Sequence, residues 1–111
     1  MAIIELNKDN FEKEVLKYMG LVLIDFYADW CGSCPGVSHS IEKLAESEYY
    51  NSSVKLAMLN TGLNPDISVK YGITSLPQIL FFRNGQELIA KRLRGAKSFS
   101  DYKKEIDSLL A

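Results

Sequence analysis

Residues 21–28 read Leu-Val-Leu-Ile-Asp-Phe-Tyr-Ala, an apolar run interrupted only by Asp25. A strand with one face in water alternates apolar and polar residues, so a run without alternation belongs to a strand covered on both faces. A chain that contains it must supply two covering layers. With 111 residues, the simplest solution is one domain, residues 1–111, built on a single central sheet.

The rest of the chain offers those layers. Ala2–Leu6 is a short strand candidate, and Phe11, Val15 and Tyr18 then share a helical face that Gly20 ends. Downstream of the apolar run, Val37, Ile41, Leu44 and Ala45 form a second helical stripe. Val54–Leu59 is a third strand. Asn64 and Pro65 offer an N-cap and a first-turn proline for a short helix through Tyr71, with Gly72 as its stop. Gln78–Phe82, Asn84-Gly85 and Glu87–Leu93 read as a β-hairpin. Ser98 with Asp101 is a capping-box start for a last helix whose apolar face is Phe99, Tyr102, Ile106, Leu109 and Leu110. The order βαβαβαββα predicts an α/β protein: a central mixed sheet of about five strands flanked by about four helices.

Charge and composition exclude several functions. Hydrophobic residues are 47% and charged residues 24%, as in ordinary globular proteins, and the net charge of −1 creates no general attraction to nucleic acid or anionic lipid. The basic run Ala90–Lys97 carries no interleaved aromatics and reads as the solvated side of an edge strand. No stretch has the length of a membrane span. The first fifteen residues lack a basic lead and an apolar core, so export is not expected, a cytoplasmic location is, and the sequon at Asn51–Ser53 is a chance match.

Both cysteines lie in Asp-Trp-Cys-Gly-Ser-Cys-Pro-Gly-Val, residues 29–37, behind the only tryptophan. As a staple the pair closes a loop so small that the chain-entropy model credits it with only about 2 kcal/mol. As a zinc site it offers two thiolates, and His39 would bring the donors to three where a structural site needs four, so no metal is expected. As a redox couple the spacing is apt, because a bridge this short opens and closes without rearranging the fold. The position, after a strand and before a helix, supplies the mechanism. Unpaired N–H groups and the helix dipole stabilise an anion by ~0.3–1 kcal/mol when exposed and up to ~2 when partly buried, which lowers a thiol from ~8.5 toward neutrality. Cys31 is then the nucleophile, and Cys34, inside the first turn, the resolving thiol.

At this point the chain resembles the thioredoxin family over nearly its whole length. The residues that carry the likeness are Leu-Ile-Asp-Phe-Tyr-Ala-Asp-Trp-Cys-Gly-Ser-Cys, then Asn64 to Gln86, and the glycine of Leu93–Ala96. Taken alone, Pro77 reads as a trans turn residue; the resemblance implies a cis peptide bond opposite the cysteines. It also implies that Leu76 pairs through its backbone with an extended substrate, and that Trp30, Gly32, Ser33, Leu76, Pro77 and Gly95 belong to the substrate surface. Asp25 matches the family's buried carboxylate, which accepts a proton at the second cysteine; its rival role is a carboxylate satisfied by backbone donors near a sheet edge.

The resemblance further implies a monomeric protein-disulfide reductase that carries electrons for cell redox homeostasis. It would use no bound cofactor beyond its own redox-active disulfide and draw electrons from a thioredoxin reductase, for disulfide-containing client proteins. An oxidant or isomerase on the same fold, or a binding subunit whose thiols are idle, are the alternatives.

Several residues depart from the family pattern. Pro35 replaces a long, often basic side chain; with Gly32 as N-cap it would lie in the first turn, where it breaks no helical bond. Ser33 replaces a common proline and could donate to the Cys31 thiolate. His39 stands where a kinking proline is frequent, which predicts a straighter helix and a surface histidine. Met58 replaces a lysine near the buried carboxylate, which predicts a raised Asp25 pKa. Tyr27, where tryptophan is frequent, reads as packing.

Overall fold

The computed structural model describes residues 3–111. Its strands are β1 (Ile3–Leu6), β2 (Leu21–Tyr27), β3 (Lys55–Asn60), β4 (Gln78–Arg83), β5 (Gln86–Glu87) and β6 (Leu93–Arg94). Its α-helices are α1 (Cys34–Glu46), α2 (Glu48–Ser53), α3 (Pro65–Lys70) and α4 (Phe99–Leu110). Ala2, the expected first residue of the first strand, lies outside the described residues.

The sheet runs β1-β3-β2-β4-β5, with β6 also paired to β4. Strands β1, β3 and β2 are parallel, and β4 runs antiparallel to β2. The apolar run is therefore an interior strand, and residues 21–26 are all buried. Its alternate residues feed two cores. Leu21 and Leu23 pack with Val37, Ile41 and Leu44 of α1 and with Tyr102 and Ile106 of α4. Val22, Ile24 and Phe26 pack with Phe11, Val15, Leu80 and Phe82 on the opposite face, where Ile67 of α3 adds cover. Two-sided burial is why the run does not alternate.

The remaining elements show where local signals held and where packing overrode them. The capping box forms: Ser98 Oγ accepts from the Asp101 N–H and Asp101 Oδ2 from the Ser98 N–H, both at 3.1 Å. The Phe11–Tyr18 helix is a short π-helical segment, Glu12–Leu16, with Val15 buried. Asn64 holds the N-cap position of α3, but its side chain donates to the Asn60 carbonyl at 3.0 Å instead of capping. The helix after the cysteines ends at Ser47, whose backbone is extended, and α2 follows as an unexpected helix. Tyr50 of α2 is buried in the α1/α4 core and donates to Asp107 Oδ1 at 2.7 Å, which ties the extra helix to α4.

The second half of the hairpin is not one strand. Ile89–Lys91 forms a 3₁₀ turn between β5 and β6. A continuous strand would have to bury every second residue, whereas Ile89 and Lys91 are both exposed and Arg92 folds back onto the Glu87 carboxylate. The turn itself follows the Asn-Gly signal: Asn84 and Gly85 have φ of 52° and 81°. Gly85 is needed twice over, since a β-carbon there would also run into the Leu16 carbonyl oxygen.

Gly36, in the first turn of α1, has open space around it and no positive φ. Gly85→Ala should lower stability by at least ~2 kcal/mol, while Gly36→Ala should raise it by about 0.5–1 kcal/mol. Urea unfolding of the two variants checks both signs.

Candidate active site

Parallel strands β1, β3 and β2 all end on one rim of the sheet, and the chain leaves β2 there to form the cysteine loop. The loop is fixed by turns: the Cys31 N–H donates to the Ala28 carbonyl at 3.2 Å and the Cys34 N–H to the Cys31 carbonyl at 3.3 Å. Asn60, at the end of β3, braces it from the side. Its Oδ1 accepts from the N–H groups of Gly62 (2.9 Å) and Leu63 (3.3 Å), and its Nδ2 donates to Asp29 at 3.4 Å.

Cys31 and Cys34 are joined in a disulfide with a Cα–Cα distance of 5.4 Å. The N-cap of α1 is Ser33, one residue later than the expected Gly32, so Cys34 and Pro35 are the first two helical residues. Ser33 has a near-helical backbone, φ −93° and ψ −8°, so the expected and observed boundaries differ by a single residue. Pro35 remains in the first turn, where its missing N–H costs no helical bond. The Ser33 side chain makes no capping bond to the first turn; its Oγ lies 3.9 Å from the Cys31 sulfur. Cys34 is buried, and Cys31 is partly exposed.

A shallow cleft of about 380 Å³ opens beside Cys31 and brings together Trp30, Gly32, Ser33 and Leu76. The indole of Trp30 is 73% exposed and lies over Gly62, where an added β-carbon would approach the ring to 2.9 Å. The Leu76–Pro77 peptide bond is cis. Neither the N–H nor the C=O of Leu76 has a backbone partner among the described residues, so both are free to pair with an extended segment. Gly95, with φ 85°, donates its N–H to the Pro77 carbonyl at 2.9 Å and so ties the end of β6 to the cis-proline segment. A larger cleft, about 450 Å³, lies between residues 5–9 and 63–67 and reaches neither sulfur.

Asp25 is 0% exposed. It is on an interior strand, in register with Met58 of β3 and Ile79 of β4, and Met58 is in turn in register with Glu5 of β1. Its one hydrogen bond comes from the Ser38 hydroxyl to Oδ2, at 3.1 Å, while Oδ1 has no partner. Backbone donors thus do not satisfy it. Its pKa is raised to about 7, mainly by burial and to a lesser extent by the Glu5 charge, against the opposing pull of the Ser38 hydrogen bond. No cation offsets these, in keeping with methionine at position 58.

His39 is on the surface of α1, its side chain 74% exposed and its Nδ1 3.8 Å from a Glu42 carboxylate oxygen. The helix is continuous past it from Cys34 to Glu46. Among the described residues no cluster of three or more His, Cys, Asp or Glu is placed to hold a metal ion, and no helix is long and apolar enough to cross a membrane.

Of the expected residues, Trp30, Gly32, Ser33 and Leu76 share the cleft with Cys31, Pro77 follows Leu76 through the cis bond and accepts from Gly95, and Asp25 is bonded to Ser38, which lines a second cleft with Cys34. Three further contributors were not singled out from sequence: Asn60, Gly62 and Ser38. Ser38 had a readable signal, since a residue four positions after Cys34 shares its helical face. A dithiol at a helix mouth, beside an open backbone edge, defines a thiol-disulfide oxidoreductase.

The comparisons agree. The thioredoxin family model matches residues 2–108. A thioredoxin of Buchnera aphidicola is 41% identical over 91 residues, 82% of each chain. Thioredoxins of Pyropia yezoensis and Griffithsia pacifica are 38% and 35% identical over 88 residues, 79% of this chain in both cases and 80% and 79% of theirs. The chain belongs to the thioredoxin family.

Asp25 carries a stability signature. Its folded pKa of about 7 exceeds the ordinary carboxyl value of 3.8. The folded state therefore holds the proton more tightly, and stability is lost as pH rises toward and through 7. Asp25→Asn should be more stable than the parent by up to about 4 kcal/mol above pH 7, with the difference vanishing near pH 4. Denaturant unfolding of both proteins at the two pH values measures it.

Proposed function

We propose that this protein reduces disulfides in other proteins by dithiol exchange. Cys31 attacks a target sulfur and forms a mixed disulfide; Cys34 then attacks Cys31, the reduced target leaves, and a Cys31–Cys34 bridge remains. Asp25 takes the Cys34 proton. The observation that carries the reading is the bridged pair beside the unpaired Leu76 backbone. A target chain added there as a short strand would bring its disulfide to Cys31.

Electrons enter from outside the chain, since no Gly-x-Gly-x-x-Gly fingerprint for a nicotinamide or flavin is present. A thioredoxin reductase is the fitting donor. The protein then acts as a monomeric electron carrier in redox homeostasis, suited to the cytoplasm, where thiols are kept reduced.

Cys34→Ser should accumulate targets covalently bound through Cys31 and released by dithiothreitol, and Cys31→Ser should capture none. Equilibration with glutathione fixes the direction: a couple that holds its bridge only weakly against glutathione is an oxidant, contrary to the proposal. Noncovalent binding with no trapped species would assign the protein to the binding subunits instead.

A further inference from the structure

Resolution of the mixed disulfide requires Cys34 to lose a proton, yet Asp25 is sealed from solvent. Its Oδ1 has no hydrogen-bond partner among the described residues, and Oδ2 accepts from Ser38. Ser38, in contrast, is only partly buried, and with Cys34, Tyr27, Ala28, Asp29 and Pro35 it lines a cleft of about 260 Å³. Cys34 and Ser38 are four residues apart on α1, so they are neighbours on one face with β-carbons ~5–6 Å apart. The cleft that both line is large enough to admit a water between sulfur and hydroxyl.

We propose that Ser38 is the proton route between the sealed Asp25 carboxyl and the cleft that holds Cys34, which makes it a positioning residue for the resolving step. A hydroxyl donates and accepts at once, so it passes a proton without net change. As Cys34 attacks, its proton crosses the cleft water to Ser38 Oγ while the Ser38 proton moves to Asp25 Oδ2. The Cys34–Cys31 sulfur bond forms, the bond from Cys31 to the target breaks, and its electron pair leaves on the target thiolate. Asp25 ends neutral and later returns its proton along the same path in reverse. The inference rests on the dithiol reading above.

Other groups around Asp25 do not offer that route. Glu5 on β1 and Tyr102 on α4 act on it through their charge or share its field. Tyr27 is committed to Glu5 at 3.0 Å, Asp29 to Asn60, and Tyr102 accepts from the Lys97 N–H. Met58 and Ile79 flank it with apolar side chains.

Reaction of the reduced protein with 5,5′-dithiobis(2-nitrobenzoate) separates the steps. Release of the first aryl thiolate scales with reagent and reports Cys31, while release of the second is independent of reagent and reports Cys34. Ser38→Ala should leave the first phase within about twofold. It should slow the second on the order of tenfold and move its pH midpoint up by about one unit, as loss of a charge-assisted donor requires.

Ser38→Thr should restore both, and in an Asp25→Asn background Ser38→Ala should add nothing. In the wild type, the second phase in mixed H₂O/D₂O should show a curved proton inventory, since the protons of thiol, water and hydroxyl move together. An unshifted midpoint in Ser38→Ala, an additive effect in the Asp25→Asn background, or a linear inventory would overturn the relay. A wild type with no reagent-dependent first phase would refute the dithiol reading itself, and the relay with it.

Discussion

The structure depends on one junction, where the interior strand β2 gives way to the mouth of α1. Because β2 is covered on both faces, its direction and height are held by packing above and below and by β3 and β4 on either side. The cysteine loop inherits that rigidity. Cys34 begins the helix and Cys31 lies just ahead of it, so a thiolate at position 31 faces the positive end of the backbone dipoles. A loop free to drift would lose the alignment and keep only an ordinary thiol.

The same strand carries Asp25, the one fully buried acid among the described residues. Desolvation of Asp25 opposes folding whenever the group is ionised, and among the neighbours that act on its pKa there is a second carboxylate, Glu5, but no cation. A protein selected for stability alone would place an aliphatic residue there. That such a group is bonded to Ser38, on the helix that carries Cys34, fits a stability cost accepted for chemistry. The raised pKa puts its proton exchange near neutrality, where a thiol must be deprotonated and a leaving thiolate reprotonated.

Much of this was legible in the chain. The unbroken apolar run announced two-sided burial, the Asn84-Gly85 pair its turn, and Ser98 with Asp101 its helix start, because each of those signals is local or nearly so. The cysteine spacing announced the chemistry. What could not be read depended on distant partners. The split of Glu87–Leu93 into two strands around a 3₁₀ turn follows from exposure of Ile89 and the Arg92–Glu87 pair, and α2 from a tyrosine that reaches Asp107 across the core. The cis bond at Pro77 came from family likeness, since sequence physics by itself favours trans. The roles of Asn60 and Gly62 emerge only once separate segments meet at the rim, whereas the spacing of Ser38 from Cys34 was there to be read.

The central claim is that the mouth of α1 keeps the Cys31 sulfur ionised near neutral pH. Alkylation of the reduced Cys34→Ser variant by iodoacetamide, followed as a function of pH, measures this directly. The account predicts a midpoint clearly below the ~8.5 of a free thiol and close to neutrality. A midpoint at or above the free-thiol value, with the fold intact, would contradict it.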